Sequence, residues 1–198
     1  MTNKVVAVGR LININMNPDD SLKLRVLIIR SGQRDAYVNF YYNGELGENI
    51  HVNDVISIEG AIDIDDNIVG MDGKTTVKQF LRAYKVSLAE GYMMKCFNIK
   101  DHFNPEHEFK VFLEGTVDSL EEKDSKKNVK ILYEKMDGET IKILTSLYFH
   151  ERIKDDYNRL SVGNKVVCYI DINTVKVEYE AGEKVLEYLI IEDFSIIQ

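Results

Sequence analysis

Residues 22–42 read LKLRVLIIRSGQRDAYVNFYY, and this stretch decides the fold. On both sides of a polar Ser31-Gly32 dipeptide, apolar side chains alternate with polar or aromatic ones, which is the pattern of half-buried β-strands. Ser-Gly between two such runs is typical of a hairpin turn. The stretch therefore predicts a β-hairpin, and alternation assigns these side chains to its buried face: Leu22, Leu24, Val26, Ile28, Ala36, Val38 and Phe40.

The same alternation recurs along the chain and predicts a mainly β protein. The five strands of the first half are expected at residues 4–14, 22–30, 34–42, 54–64 and 75–86. The five strands of the second half are expected at residues 109–120, 128–136, 139–149, 165–177 and 184–197.

Two kinds of connection join these strands. In the second half, His150–Leu160 places Ile153, Tyr157 and Leu160 at helical spacing, which predicts a short helix between the third and fourth strands. The matching connection of the first half, residues 43–53, is long enough for a short helical turn. Residues 65–73 are expected to form a loop, and an alternative in which the two flanking strands continue as a hairpin stays open.

The second half repeats the first at a nearly constant spacing. Equivalent residues lie 106 to 111 positions apart, and the changes in spacing fall in connections rather than inside strands. A chance resemblance between two β-rich halves would give scattered offsets. The repeat is carried by these pairs: Gly9 and Gly115, Tyr41 and Tyr148, Val55 and Val166, and Val77 and Val185.

Five strands with a helix between the third and the fourth is the order of the OB-fold, a Greek-key barrel. The residues that carry the likeness are Val8-Gly9-Arg10, Asp54–Gly60, Glu114-Gly115-Thr116 and Gly163–Val167. Their arrangement resembles that of single-stranded-DNA-binding proteins that have two OB domains in one chain. The chain departs from these proteins in having no Trp, so Tyr and Phe would have to stack on the bases.

The resemblance implies two five-stranded OB-fold barrels in tandem. Domain 1 is expected at residues 1–87 and domain 2 at residues 109–198, with a connecting segment at residues 88–108. This segment is too long for a tight turn and too apolar for a free linker. It is expected to pack between the domains, and a surface that binds a protein partner is the alternative.

Composition excludes several classes of protein. The 198 residues contain 25 Lys and Arg against 33 Asp and Glu, so the net charge of −8 argues against coating duplex DNA through bulk positive charge. The two cysteines form no Cys-x-x-Cys pair, which predicts neither a disulfide framework nor a cysteine zinc site. No apolar run approaches the length of a membrane span. We therefore expect a cytoplasmic protein that does not enter a membrane.

A local basic and aromatic surface is expected on domain 1. OB-folds bind oligonucleotides on strands 2 and 3, where cations neutralise phosphates and rings stack on unpaired bases. Residues 21–34 hold four basic side chains and no acidic one. An ordinary solvated sheet surface is the alternative. The candidate nucleic-acid-binding residues are Lys23, Arg25, Arg30, Arg34, Tyr37, Asn39, Tyr41, Lys74, Lys78, Phe80, Arg82 and Tyr84.

Domain 2 repeats this surface only in part. At an offset of 107, Lys23 and Tyr41 map to Lys130 and Tyr148, but Arg25, Arg34 and Tyr37 map to Leu132, Ile141 and Leu144. The outward leucines suggest that this sheet is covered by domain 1 or by another subunit, so a protein partner or self-association through domain 2 stays open. The secondary candidate residues are Lys126, Lys127, Lys130 and Tyr148.

These features favour a non-catalytic protein that binds single-stranded DNA, with RNA as the alternative, during replication, recombination or handling of mobile DNA. No phosphate-binding loop, hydrolase elbow or zinc-protease motif occurs, so the sequence predicts no enzyme, cofactor or metal. A function from another class also fits, in which the barrels are scaffolds for protein contacts.

Overall fold

In the part of the chain that a computed structural model describes, ten β-strands and one short helix make up most of the residues. The structure describes residues 1–30, 34–69, 75–89, 107–123, 126–179 and 182–197. The strands are β1 (Asn3–Met16), β2 (Leu22–Ile28), β3 (Ala36–Tyr42), β4 (Val55–Val69), β5 (Thr75–Leu88), β6 (Glu108–Lys123), β7 (Lys126–Glu134), β8 (Thr140–Tyr148), β9 (Lys165–Tyr179) and β10 (Gly182–Ile197).

Strands β1 to β5 form a closed barrel. Strand β1 pairs with β2 and β4, β2 with β3, and β4 with β5, all antiparallel. A short parallel pairing of residues 40–42 with residues 81–83 joins β3 to β5 and closes the ring. This is the five-stranded order of an OB-fold. Fully buried side chains such as Leu11, Leu24 and Phe40 fill its interior.

Strands β6 to β10 extend the same sheet. Strand β6 pairs with β1 along residues 108–113, which joins the two halves edge to edge. Within the second half, β6 pairs with β7 and β9, β7 with β8, and β9 with β10. A parallel pairing of residues 146–147 with residues 190–191 connects β8 to β10.

The strand predictions are confirmed to within a few residues, and the hairpin buries the expected face except at Leu22, which is only partly buried. Leu24, Val26 and Ile28 in β2 and Val38 in β3 are fully buried. In place of the predicted loop at residues 65–73, β4 continues to Val69 and pairs with β5, so the hairpin alternative is correct as far as the described residues go. The predicted Ser31-Gly32 turn lies outside the described residues, as does most of the connecting segment.

The helix prediction holds for one half only. A 3₁₀ turn at Glu151–Ile153 leads into helix α1 (Lys154–Arg159), and Ile153 and Tyr157 bury their side chains. Residues 43–54 of the first half form turns instead of a helix. Leu46 and Ile50 of these residues pack against the core, but the backbone between them forms turns. Helix α1 has six residues, and none of the described helices could span a membrane.

Candidate nucleic-acid interface

The outer face of β2 and β3 brings cations and aromatic rings together, as alternation predicts. Antiparallel register places Lys23 opposite Tyr41 and Arg25 opposite Asn39. The Arg25 guanidinium lies 5.1 Å from the centre of the Tyr37 ring, a cation–π distance. The expected neighbours are therefore in contact across the two strands.

A groove of about 680 Å³ opens at one end of this face, and we call it the first groove. Its walls come from three parts of the chain: the β1–β2 loop around Asp19, the strands β3 to β5, and the β7–β8 hairpin of the second half. The residues that line it are Asn17, Pro18, Asp19, Ser21, Tyr41, Asn43, Asp63, Ile64, Asp65, Lys78, Phe80, Arg82, Lys135 and Glu139.

Two rings and a lysine form a cluster in the first groove. Tyr41 and Phe80 meet edge to face with their centroids 5.3 Å apart. The Lys78 ammonium donates a hydrogen bond of 2.8 Å to the Tyr41 hydroxyl and lies 4.7 Å from the centre of that ring. Both rings are partly exposed, and Lys78 is exposed. Each ring thus has a cation over one face, Lys78 over Tyr41 and Arg82 over Phe80 at 5.2 Å, and both rings keep part of their surface exposed.

Asp63 neutralises two further cations of the first groove. Its carboxylate accepts a hydrogen bond of 2.7 Å from Arg82 Nε and lies 3.0 Å from Lys135 Nζ. Lys135 also contacts Glu139 at 2.7 Å. Burial acts to raise the pKa of Asp63, but hydrogen bonds from Lys135 and Arg82 outweigh it and hold that pKa below the usual 3.8. Arg82 belongs to the first half and Lys135 to the second, so Asp63 is part of a contact between them.

Another part of the predicted surface is covered by the β9–β10 hairpin of the second half. Strand β3 pairs with β5 only at residues 40–42, so upstream of Phe40 this edge of β3 faces the β9–β10 hairpin instead of β5. The Thr174 hydroxyl accepts from Tyr37 N at 3.3 Å, and Glu187 Oε1 accepts from Asn39 N at 2.8 Å. Side chains from the second half therefore accept the hydrogen bonds that this edge of β3 donates.

Arg30 is engaged in the same contact. Its Nη2 atom lies 2.6 Å from Asp171 Oδ1 and donates to the Ile172 carbonyl at 2.6 Å. The Arg30 side chain is only 14% exposed. Desolvation raises the pKa of Asp171 although the positive charge of Arg30 opposes that rise. The structure thus places Arg30 between the two halves rather than at an open surface.

A second groove of about 390 Å³ lies on the face of β7, β8 and β10. Lys126 and Lys130 line it, and the Lys126 ammonium lies 5.5 Å from the centre of the Tyr148 ring. Tyr188, 43% exposed, also lines this groove. Sequence reasoning missed Tyr188, although the repeat contained the signal, since the offset of 108 that relates Val77 to Val185 also relates Phe80 to Tyr188.

Lys127 does not reach either groove. It is buried, donates a hydrogen bond of 2.6 Å to the Tyr157 carbonyl and lies 4.0 Å from the centre of the Tyr157 ring. Alternation alone indicates this position, because Lys127 has the parity of the core residues Val129 and Ile131. Its ammonium holds helix α1 onto the sheet.

The remaining predicted residues lie elsewhere. Tyr84 is exposed and does not line the first groove. It lies on β5 where the register of the pairing with β4 shifts, opposite Glu59 and Gly60. Arg34 is exposed beyond the start of β3, near Arg30 and Asp171. Lys74 lies outside the described residues.

Lys135 lines the first groove although it belongs to the second half of the chain. No local sequence pattern predicted this position. Within the described ranges, no group of three His, Cys, Asp or Glu side chains is arranged to hold a metal ion.

The chain is similar along its whole length to two solved structures of one protein. One is the wild-type single-stranded DNA binding protein from Thermus aquaticus, with a TM-score of 0.66, 13% identity and coverage of 100% of this chain and 93% of that chain. The other is a deletion mutant of the same protein, with a TM-score of 0.67, 13% identity and coverage of 100% and 95%. No protein-family model and no curated protein matches the chain. At this identity, the likeness shows the fold alone.

Proposed function

We propose that this protein binds single-stranded DNA without catalysis and that the first groove is its principal site. The observation that carries the proposal is the cluster of Tyr41, Phe80 and Lys78, in which two partly exposed rings lie beside an exposed ammonium. Rings that stack on unpaired bases contribute about 1–3 kcal/mol per base, and a nearby lysine neutralises phosphate. Because every base has a π-face, this chemistry does not require one sequence.

The proposed interface is narrower than the predicted one. It consists of the first-groove cluster, with Arg82 at its edge and Lys23 and Arg25 on the adjoining face. The proposal leaves out Arg30 and Lys127, whose charged groups are engaged inside the molecule. Lys126 and Lys130 on the second groove, with Tyr148 beside Lys126, are proposed as a secondary site.

Strands β6 to β10 are proposed to be a second barrel of the same kind, occupying residues 109–198 after a first domain at residues 1–87. Equivalent backbone contacts support this. Gly9 and Gly115 both pack against the strand that crosses them, where an added Cβ would meet Leu27 O and Leu132 O within 3 Å. The Thermus aquaticus protein, which binds single-stranded DNA by its name, also matches the whole chain.

A binding titration tests the proposal. Fluorescein-labelled oligothymidine and a labelled duplex of equal length are each titrated with the protein at low salt, and fluorescence anisotropy is followed. The proposal expects saturable binding to the single strand at micromolar protein or below and weaker binding to the duplex. Equal binding to both, or none to the single strand, would contradict it. The same titration with labelled oligouridine compares the affinity for RNA with the affinity for DNA.

A role as a protein-binding scaffold is the second candidate. Leu144, Tyr148 and Tyr188 are 51%, 48% and 43% exposed on the same face of the second half, which is a composition typical of interaction surfaces. Sedimentation of the protein with and without oligothymidine separates the two candidates. A concentration-dependent assembly that excludes the oligonucleotide would favour the scaffold.

A further inference from the structure

We propose that Lys135, which belongs to the second half of the chain, is a positioning residue for the first groove. Its ammonium orients the Asp63 carboxylate, and that carboxylate holds the Arg82 guanidinium over the Phe80 ring. Lys135 thus acts on a bound strand through the arrangement of the site and not as a partner of a phosphate group. This inference rests on the proposed function, and it gives the second half control over a site whose rings belong to the first.

The two oxygens of the Asp63 carboxylate have different partners. Oδ2 accepts a hydrogen bond of 2.7 Å from Arg82 Nε, whereas Oδ1 lies 3.0 Å from Lys135 Nζ and accepts from Ile64 N at 2.9 Å. Asp63 is only 9% exposed, so water has little access to replace these partners. The terminal torsion of an Asp side chain has broad preferences of its own. The partners of Oδ1 therefore decide the direction in which Oδ2 meets Arg82.

The β7–β8 hairpin holds Lys135 in place. The Lys135 N–H donates to the Glu139 carbonyl at 2.7 Å, and the Gly138 N–H donates to the Lys135 carbonyl at 3.0 Å, which closes the turn. Gly138 has a φ of 86°, a conformation that glycine adopts without strain. Lys135 Nζ lies 2.7 Å from the Glu139 carboxylate, and the lysine side chain is only 26% exposed. The ammonium is thus fixed between Glu139 and Asp63.

Arg82 connects this arrangement to the rings. Its guanidinium lies 5.2 Å from the centre of the Phe80 ring, and Phe80 meets Tyr41 edge to face at 5.3 Å. A cation held over one face of a ring favours one orientation of that ring. A ring that is already oriented loses less freedom when a base stacks on it, so a fixed Arg82 strengthens binding.

A direct contact between Lys135 and a phosphate group is the alternative role. The Lys135 ammonium already lies between two carboxylates, at 3.0 Å from Asp63 and 2.7 Å from Glu139. A phosphate would have to displace one of them and leave its negative charge in the groove. The ion pairs therefore favour positioning over phosphate contact.

A charge-neutral double variant tests the inference. Lys135→Met combined with Glu139→Gln removes one positive and one negative charge, so the net charge of the groove is kept while Asp63 loses its ammonium partner. We expect this variant to bind oligothymidine about three- to five-fold more weakly than the wild type, with an unchanged salt slope. The matched control combines Lys142→Met with Asp118→Asn. It removes a 3.0 Å ion pair that lines neither groove and should leave the affinity unchanged.

A second background separates positioning from a general effect on the fold. In Phe80→Ala protein, the loss caused by the double variant should largely disappear, because the ring through which Arg82 acts is gone. Lys135→Arg keeps a positive charge and hydrogen-bond donors near Asp63, so it should bind nearly as tightly as the wild type. Circular dichroism and thermal unfolding monitor the fold, and Lys135→Gln with Glu139→Gln replaces the double variant if methionine disturbs the hairpin.

Three results would overturn the inference. The folded double variant could bind as tightly as the wild type, or its loss could persist undiminished in Phe80→Ala protein. A salt slope smaller in magnitude by about 0.7 in the double variant would show that Lys135 contacts phosphate directly. If wild-type protein does not bind oligothymidine at all, the proposed function fails and the inference fails with it.

Discussion

Gln79 on β5 and Glu187 on β10 lie 108 residues apart, and each binds the backbone of the other half of the chain. Gln79 satisfies both the N–H and the carbonyl of Leu144 on β8, while Glu187 accepts from the N–H of Asn39 on β3. In each half, these contacts fall where the third and fifth strands have separated and left a strand edge open. The halves therefore complete each other's open edges through side chains, in addition to the pairing of β1 with β6.

Loss of the Gln79 contact should destabilise the protein. In Gln79→Ala, both backbone groups of Leu144 lose their partner, so we expect the free energy of unfolding to fall by about 1–2 kcal/mol. Urea unfolding followed by circular dichroism measures this change. Asn158→Ala, an exposed amide removed from helix α1, is the control and should have a smaller effect. Equal stability of Gln79→Ala and the wild type would show that the contact contributes nothing.

Removal of either ring of the first-groove cluster should weaken binding to single-stranded DNA. We expect Tyr41→Ala and Phe80→Ala each to raise the Kd for oligothymidine by at least about five-fold, because a stacked base contributes about 1–3 kcal/mol. Tyr169→Ala is the matched control, since Tyr169 is 50% exposed and contacts Phe112 on β6, away from the groove. Equal losses in all three variants would argue against stacking in the first groove.

Arg30 and Lys78 should respond differently to substitution. Arg30→Ala removes the ion pair with Asp171 and should lower stability by about 1–3 kcal/mol, because it leaves a partly buried carboxylate unpaired. Lys78→Ala should leave stability nearly unchanged but weaken binding to oligothymidine. Thermal unfolding and anisotropy titration on both variants test this separation. If Arg30→Ala protein folds normally but binds oligothymidine more weakly than Lys78→Ala protein does, Arg30 belongs to the interface.

The ion pairs of Asp63 with Arg82 and Lys135 should make the contact between the halves sensitive to acid. A carboxylate whose pKa is lowered by folding contributes stability that is present above its usual pKa of 3.8 and is lost as the pH falls through the lower folded value. Asp63→Asn should therefore be less stable than the wild type at pH 7, and the difference should narrow as the pH falls below 3.8. Urea unfolding at several pH values measures both proteins. If the difference in unfolding free energy between Asp63→Asn and the wild type stays constant with pH, the ion pairs of Asp63 are not its cause.

Much of the first half could be predicted from local pattern. Alternation within residues 22–42 identifies which side chains enter the barrel, because a strand turns successive residues to opposite faces. It also identifies the outward neighbours of Lys23 and Arg25. The same rule indicates that Lys127 points inward, although its positive charge suggests an exposed position. Strand periodicity thus accounts for the first barrel and for the outward direction of Tyr41, Lys78 and Phe80.

Contacts between the halves could not be predicted in this way. The sequence around Asn39 contains nothing that identifies Glu187 as its partner, 148 residues away. Likewise, Lys135 enters the first groove only because β6 pairs with β1 and brings the β7–β8 hairpin alongside β4 and β5. Such positions follow from packing between distant elements. Residue type alone therefore predicts a larger exposed binding surface than the fold leaves open. Arg30, for example, is basic but pairs with Asp171 between the two halves.

The salt dependence of binding to oligothymidine tests the central claim most directly. Each phosphate that a cation neutralises on a single strand contributes about −0.7 to the slope of log K against log salt concentration. With Lys23, Arg25 and Lys78 in the interface and Arg82 paired with Asp63, we expect a slope of about −2, and Lys78→Ala should reduce its magnitude by about 0.7. A slope near zero, or no binding to the single strand at micromolar protein, would contradict the account.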